Sequence, residues 1–327
     1  MSRAIFALMR LAQALPLGLL AALGNALGAL LYWLIPERRH AVRVNLALCF
    51  PHLDPCQRER LARAHFRAFV RSFVEHGLWW WAPRARIEKL VRIEGLEHLQ
   101  ALRGRPVILL APHFVGLDAA LTRLGCEADL AVIYARQKDP AYDALLLRGR
   151  TRFGRQRLLS RQDGVRAALA AIREGLPFYY LPDLDFGPRD AIFVPFFGVP
   201  AATVTGVSRI ARLTGASVLP CVARMLPGGA GYTVTISPPW QDFPTADVAA
   251  DTRRVNAYIE SQVLGMPEQY FWLHKRFKTR PPGEPSPYVC KRERVAGSRR
   301  RAPVRTIESP PCSAIRPTPR SAPCWRA

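Results

Sequence analysis

A short apolar run, followed by a break and a helical segment, constrains the fold of this chain most. Val107–Ala111 contains only apolar side chains, which is typical of a strand buried on both faces of a sheet. Pro112 interrupts the run, and Leu117–Leu124 is compatible with a helix. The pattern predicts a strand–turn–helix unit, with His113 at the carboxyl end of the strand and Asp118 in the first turn of the helix. Functional sites of open α/β folds lie at that end of a parallel sheet.

A histidine and a carboxylate five residues apart across such a turn can approach each other. The carboxylate would bind one ring nitrogen as a donor and leave the other nitrogen free as an acceptor. The spacing therefore suggests a general base, His113, oriented by Asp118, with a substrate supplying the hydroxyl. A hydrogen-bonded structural histidine fits the same spacing, and it is the commoner role of a lone histidine near a strand end.

The formal net charge of +22 indicates an anionic partner, either nucleic acid, an anionic membrane surface or an acidic substrate. Residues 291–327 contain ten basic and two acidic residues, so a net charge of +14 remains on residues 1–290. From Pro281 onward the composition shifts to Pro, Arg and Ser. Such a composition cannot form a core, and it predicts a basic disordered tail over residues 286–327.

The seven cysteines are scattered, and no Cys-x2-Cys pair is present. A zinc site is therefore not expected, and we expect no metal. An odd number of irregularly spaced cysteines also argues against a disulfide framework and favours a reducing compartment.

The amino-terminal segment is strongly apolar. Leu11–Ile35 contains no charged residue and ends near Tyr32 and Trp33, an aromatic pair typical of a membrane interface. The alternatives are a cleaved signal peptide and a buried core helix. We expect residues 1–36 to form a single membrane anchor helix. The basic residues after it, Arg38 to Arg43, place the following domain in the cytoplasm, at the inner membrane.

Residues 37–285 alternate between strand and helix patterns, which predicts a layered α/β domain with a mixed sheet. Strands are predicted at 128–134, 178–181, 216–222 and 231–236, and helices at 142–147, 164–172, 207–213 and 251–264. A further helix is predicted to begin at Asp54, a suitable N-cap. Ile192–Gly198 and Ala201–Gly206 have the patterns of an apolar loop and a helix start.

Three clusters allow more than one interpretation. Trp79–Trp81 could be core packing, or else a membrane-interface anchor or the wall of an acyl groove. The arginines at 148, 150, 152 and 155 could be a solvated helix face or an anion site. Asp183 and Asp185 follow a predicted strand, where they could bind a metal or position a substrate.

Several motifs together resemble a known family. The His113-x4-Asp118 box is similar to that of the lysophospholipid acyltransferase superfamily. The segments Pro182-Asp-Leu-Asp185, Val194-Pro-Phe-Phe-Gly198, Ala201-Ala-Thr-Val-Thr-Gly206 and Tyr270–Glu284 resemble those of the late acyltransferases of lipid A biosynthesis, the lauroyl/myristoyl type. The resemblance covers roughly residues 1–285. Asp118 stands where many members of the family carry glutamate.

The resemblance implies a glycerolipid-acyltransferase-like fold and an O-acyltransferase acting in lipopolysaccharide biosynthesis. His113 and Asp118 would be catalytic, and Arg136, Arg150, Asp183 and Asp185 would bind substrate, with Arg150 on a phosphate. The donor would be a fatty acyl thioester of acyl carrier protein or coenzyme A. The acceptor would be a phosphorylated glycolipid precursor. No cofactor beyond the thioester co-substrate, and no covalent enzyme intermediate, is expected.

Two other functions fit parts of the sequence. One is acyl transfer to another lipid, such as a lysophospholipid, an ornithine lipid or a glycolipid. The other is a membrane-tethered nucleic-acid-binding protein, which the charge suggests. No recognition motif for nucleic acid is present in the sequence, so we expect no nucleic-acid partner.

Overall fold

The computed structural model describes residues 3–160 and 164–289. Residues 1–288 form one compact unit, and of the second unit, residues 289–327, only Val289 is described. Most of the predicted basic tail therefore lies outside the described residues. The compact unit ends at Tyr288, whose buried hydroxyl accepts a hydrogen bond from the Phe277 amide at 3.0 Å.

Helices and strands alternate along most of the chain. The helices are α1 (Arg3–Ala12), α2 (Leu17–Leu34), α3 (Pro36–Cys49), α4 (Pro55–Val74), α5 (His76–Trp81), α6 (Arg84–Leu90), α7 (Leu96–Gln100), α8 (Leu117–Leu124), α9 (Pro140–Arg150), α10 (Gly164–Arg173), α11 (Gly206–Thr214) and α12 (Val248–Gly265). The strands are β1 (Val91–Glu94), β2 (Val107–Leu110), β3 (Ala131–Tyr134), β4 (Arg157–Ser160), β5 (Phe178–Tyr180), β6 (Ala191–Phe196), β7 (Val199–Val204), β8 (Ser217–Met225) and β9 (Tyr232–Ile236).

The main sheet has seven strands in the order β1-β9-β8-β2-β5-β3-β4. Strands β8, β2, β5, β3 and β4 are parallel to one another. β9 is antiparallel to β8, and β1 is parallel to β9. The sheet is therefore mixed, which confirms the predicted α/β class.

The central strand β2 separates two apolar cores because its side chains alternate between the two faces of the sheet. Ile108 and Leu110 belong to one core, which includes residues of α3, α4, α10, α11 and α12. Val107 and Leu109 belong to the other, which includes residues of α5, α6 and α8. All four side chains are fully buried, as the apolar run predicted. Helices on both faces make this a three-layered domain.

The hairpin β6–β7 corrects one prediction. Ala191–Phe196 and Val199–Val204 form two antiparallel strands joined by a two-residue turn. The predicted apolar loop at Ile192–Gly198 is therefore mostly strand, and of the predicted helix start at Ala201–Gly206 only Gly206 belongs to a helix, the first residue of α11. Phe197 and Gly198 both have positive φ, at 51° and 76°, which is the conformation of a type I′ hairpin turn. The dipeptides that signal such a turn are Asn-Gly, Asp-Gly and Gly-Gly, and Phe197-Gly198 is none of these, so the local sequence did not indicate the hairpin.

The amino-terminal segment is two helices that pack on the domain. α2 lies on α4 through glycines: a Cβ at Gly24 would come within 2.4 Å of the Arg71 Cα, and one at Gly28 within 2.6 Å of the Arg67 Cα. α2 is long and apolar enough to cross a membrane by length and composition. Its buried residues nevertheless tie it to the compact unit, and its exposed side carries Leu19, Leu23, Leu27, Leu30 and Leu34.

Two of the three tryptophans of the Trp79–Trp81 cluster pack in the core, and Trp81 is half-buried. Trp79 and Trp80 are buried, and the ring of Trp79 meets that of Tyr232 edge-on with a centroid distance of 5.2 Å. Helix α9 also packs against this cluster, because a Cβ at Gly149 would lie 2.5 Å from the Trp80 Cδ1. Trp79 and Trp80 therefore fix α5 against β9 and α9.

Candidate active site

His113 and Asp183 come together because the strands before them are neighbours. Leu110 of β2 is in register with Tyr180 of β5, and His113 and Asp183 each lie three residues farther on. The carboxyl ends of two adjacent parallel strands thus bring both residues to the same edge of the sheet, where α/β folds carry their sites.

The Asp183 carboxylate binds His113 twice. His113 Nδ1 lies 2.7 Å from Asp183 Oδ1, and the His113 amide donates to Oδ2 at 2.9 Å. Because an ionised carboxylate only accepts, Nδ1 carries the proton and Nε2 is left as the acceptor. Within the described part of the chain, Nε2 has no hydrogen-bond partner. This is the protonation state that a general base requires.

Asp183 is held as an anion although it is buried. Burial alone would raise its pKa, but the His113 imidazole, the two hydrogen bonds from His113 and the charge of Arg276 together lower it below its usual range. Burial and the nearby Asp183 carboxylate raise the pKa of the Tyr270 hydroxyl well above its usual value. Asp183 is therefore satisfied within the protein and can stabilise positive charge on the imidazole.

Asp118 does not contact His113, which corrects the predicted pairing. Its Oδ1 accepts from Arg150 Nε at 2.9 Å and from Arg150 Nη2 at 2.6 Å, and its Oδ2 lies 3.0 Å from His76 Nε2. Both oxygens are thus engaged on the side facing α5 and α9. The spacing of five residues permitted a contact with His113, but the pairing of β2 with β5 provides a nearer carboxylate. A catalytic role of Asp118 stays a prediction.

A cavity of about 230 Å³ opens beside His113. Arg150 also lines it, and the rest of its wall is mainly apolar. The lining residues besides these two are Leu117, Leu121, Val132, Ile133, Tyr134, Ala135, Gln137, Leu146, Tyr179 and Leu181. A mainly apolar cavity with a few polar groups is the usual form of a site for a small ligand or an acyl chain.

The remaining predicted substrate residues lie apart from this cavity. Arg136 is exposed beyond the end of β3 and is not part of the lining. Asp185 is buried, and its carboxylate accepts from the Gly187 amide at 2.9 Å and from the Thr279 amide and hydroxyl at 2.6 and 2.7 Å. It therefore fixes the carboxy-terminal segment to the sheet edge. Substrate-binding roles for both stay predictions.

His274 shares this structural arrangement. Its Nε2 accepts the Asp185 amide at 2.8 Å, so the ring is neutral. Burial and the nearby basic side chains of Arg276 and His113 lower the pKa of His274 to about 4. Among the described residues there is no group of three or more His, Cys, Asp or Glu that could hold a metal ion.

Two residues of the site were missed from the sequence. Tyr270 lies in the segment that carries the family resemblance, so a signal was available. The segment pairs with the box after β2: Val115 donates to Gln269, and Phe271 donates to His113. His76 begins α5, and nothing in its sequence surroundings distinguished it from a solvated histidine.

Comparison with known proteins gives one consistent result. A family model described as bacterial lipid A biosynthesis acyltransferase matches residues 3–279. The Escherichia coli (strain K12) lipid A biosynthesis lauroyltransferase is 34% identical over 277 residues, which is 84% of this chain and 90% of that protein. The palmitoleoyltransferase of the same strain is 31% identical over 278 residues, 84% and 90% of the two chains. Its myristoyltransferase is 32% identical over 258 residues, 78% and 79% of the two chains.

A solved structure was also matched. The 1-acyl-sn-glycerophosphate acyltransferase of Thermotoga maritima shares 16% identity with a TM-score of 0.35, over 74% of this chain and 96% of that one. The α/β class of this chain follows from its own sheet topology.

Proposed function

The chain belongs to the bacterial lipid A biosynthesis acyltransferases, and from this premise we propose that His113 is the general base of its acyl transfer to a lipid A precursor. The observation that carries the proposal is the His113–Asp183 pair at the edge of the cavity. His113 Nε2 takes the proton of the acceptor hydroxyl, whose oxygen then attacks the thioester carbonyl carbon of the donor.

The reaction balances without a covalent enzyme intermediate. The new ester C–O bond forms as the tetrahedral intermediate appears, and the C–S bond breaks as it collapses. The proton on His113 Nε2 passes to the leaving thiolate, which restores the neutral ring. Asp183 stabilises the imidazolium between these steps and keeps the ring oriented.

The donor is an acyl thioester of acyl carrier protein or coenzyme A in this proposal. Both are acidic, and residues 1–290 carry a net charge of +14. The apolar part of the cavity wall suits an acyl chain. The three relatives are named for the transfer of lauroyl, palmitoleoyl and myristoyl chains, and their sequence identities to this protein are similar. The proposal therefore leaves the length of the acyl chain open.

The acceptor in this proposal is a phosphorylated glycolipid whose phosphate binds Arg150. Arg150 lines the cavity together with His113, and a guanidinium donates well to phosphate oxygens. Mass spectrometry of lipids from cells with and without the protein would identify the acceptor and the hydroxyl that is acylated.

Membrane attachment is proposed through α2, at the cytoplasmic face of the inner membrane. The exposed leucines of α2 form one apolar face, and the exposed Arg63 of α4 lies over the ring of Trp33 at 5.1 Å. If α2 crossed the bilayer while packed on α4, the exposed Arg67 would enter the hydrocarbon, at a cost of about 2.5–3.5 kcal/mol. We therefore propose that α2 lies along the membrane surface with its leucines immersed.

The test of the proposed base is His113→Ala. We expect the rate of acyl transfer to fall by about 10²–10⁴-fold while the protein still folds, because proton transfer from the hydroxyl is lost. Transfer of a labelled acyl group from the thioester to the lipid acceptor measures this. His52→Ala, at an exposed histidine outside the cavity, is the matched control. A rate for His113→Ala near that of the unchanged protein would refute the mechanism.

A further inference from the structure

Three helices meet at the Asp118 carboxylate. His76 begins α5, Asp118 lies in the first turn of α8, and Arg150 ends α9. The side chains of all three are 13–17% exposed. Arg150 donates through both Nε and Nη2 to the same oxygen of Asp118, Oδ1. The other carboxylate oxygen, Oδ2, faces His76 Nε2.

The surroundings of His76 favour its cationic form. Its Nε2 faces Asp118 at 3.0 Å, and its Nδ1 faces the Ser72 and Phe73 carbonyl oxygens at 2.9 and 3.2 Å. All these oxygens accept hydrogen bonds, so only a ring protonated on both nitrogens satisfies both sides. The neighbouring Glu75 does not compete for His76, because it is bonded to Arg71 and Tyr232.

The cluster thus places two basic side chains, Arg150 and His76, around one carboxylate. Burial would raise the pKa of Asp118, but the charge of Arg150 and the hydrogen bond and charge of His76 lower it far below its usual range. Asp118 is consequently ionised at neutral pH, and with a doubly protonated His76 the cluster carries a net charge of +1. In the described part of the chain, Arg150 Nη1 has no hydrogen-bond partner, and Arg150 lines the cavity.

We propose that His76 and Asp118 are positioning residues that hold Arg150 ready to bind a phosphate in the cavity. This inference depends on the proposed function and adds to it the residues that orient the phosphate-binding arginine. Asp118 fixes the direction of the guanidinium through Nε and Nη2, and His76 fixes Asp118. The second cation prevents Asp118 from cancelling the charge that attracts the phosphate.

The packing around the cluster fixes the position of Arg150. The ring of Trp80 meets that of His76 at a centroid distance of 5.3 Å, and Gly149 lies directly on Trp80. A side chain at 149 would push α9 away from α5 and move Arg150 with it. A preorganised donor of this kind loses little freedom when it binds its anion.

The phosphate could come from the acceptor lipid or from the phosphopantetheine arm of the donor, and one experiment distinguishes them. His76→Gln keeps a side-chain donor toward Asp118 but removes the positive charge. Its activity is measured with a phosphorylated acceptor and its dephosphorylated form. It is also measured with S-acyl 4′-phosphopantetheine and S-acyl pantetheine as donors. His52→Gln is the control at an exposed site.

We expect His76→Gln to lower kcat/KM about tenfold, mainly through KM, for whichever substrate carries the recognised phosphate. Activity on the matched substrate without that phosphate should be retained, which also shows that the variant is folded. If the loss depends on whether the acceptor carries its phosphate, the recognised phosphate belongs to the lipid. If it depends on whether the donor carries its phosphate, the recognised phosphate belongs to the pantetheine arm. Equal losses on all substrates, or no loss, would overturn the inference. A fully active His113→Ala would instead refute the proposed base.

Discussion

At the scale of single residues, two carboxylates near His113 have different partners. Asp183 binds the imidazole and is buried below the sheet edge, whereas Asp118 binds two cationic side chains beside the cavity. In the proposed mechanism the two residues therefore support different steps. Asp183 would stabilise charge that develops during proton transfer, and Asp118 would orient a group that binds the substrate.

We predict that Asp183→Asn and Asp118→Asn have different kinetic effects. An asparagine at 183 loses the charge that stabilises the imidazolium and can favour the wrong tautomer of His113, so kcat should fall by roughly 10²–10⁴-fold on every acceptor. Asp118→Asn should act mainly on KM for the phosphorylated substrate. Steady-state kinetics with the acceptors and donors compared with and without their phosphate measures both.

The control for these variants is Asp242→Asn. Asp242 is exposed, and its positive φ of 51° is a conformation that asparagine tolerates. A large kcat loss in Asp118→Asn with none in Asp183→Asn would mean that Asp118, as the spacing suggested, serves the base after all.

His113 and its position at the end of a strand could be predicted from sequence, because the apolar run and the proline define a strand end locally. The partner of His113 could not. Asp183 lies 70 residues away, and only the pairing of β2 with β5 brings it near. The alternating pattern of strands and helices specifies a layered sheet but not the order of its strands. The contact of His76 with Asp118 could not be predicted for the same reason, because it joins two helices that are far apart in the chain.

At the scale of elements, the contact between α2 and α4 depends on the small size of two glycines. At Gly28 a Cβ would lie 2.7 Å from the Phe66 carbonyl oxygen as well as 2.6 Å from the Arg67 Cα. These neighbours are backbone atoms, so they cannot yield without moving a helix. The apolar composition of α2 indicated a membrane helix, but its packing face is visible only in three dimensions.

We predict that Gly28→Ala destabilises the protein by about 1–3 kcal/mol, because the added methyl group forces the two helices apart. Gly18→Ala is the matched control on the same helix, since its Cβ would meet only the Gly228 oxygen at an ordinary 3.6 Å. That change should be neutral, or stabilise by about 0.5–1 kcal/mol through helix propensity. Denaturant unfolding in detergent compares the two, and equal effects would mean that α2 and α4 are not in close contact.

At the scale of the whole molecule, one surface combines apolar and basic character. The leucine face of α2 is flanked by Arg39 and Arg63, whose guanidinium groups lie over the Trp33 ring at 5.5 and 5.1 Å. Apolar immersion does not depend on salt, whereas the attraction of arginines to anionic lipid is screened. Membrane binding by the intact protein should therefore have two separable parts.

We predict that the intact protein floats with anionic liposomes even in 1 M salt, whereas the double variant Leu23→Glu, Leu27→Glu floats only at low salt. Both leucines are 45% exposed, so the change spares the core and removes the immersed face. The Debye length falls from about 10 Å at 0.1 M to about 3 Å at 1 M, which weakens the remaining attraction. Flotation across a salt series measures this.

Leu264→Glu, at an exposed leucine of α12, provides the control for a new surface carboxylate and should bind as the unchanged protein does. If the double variant stays bound at high salt, then another surface attaches the protein. If the unchanged protein is released by salt, α2 is not immersed.

The position of β2 in the sheet also determines how long this strand stays unpaired during translation. Both of its neighbours follow it in the sequence, β5 about 70 residues later and β8 more than 100 residues later. At about 5–20 residues per second, the most apolar strand waits roughly 5–20 s for its second partner. During that time an open strand edge can pair with another chain. We therefore expect the edges of β2 to be most available for pairing with other chains while residues 111–217 are being translated.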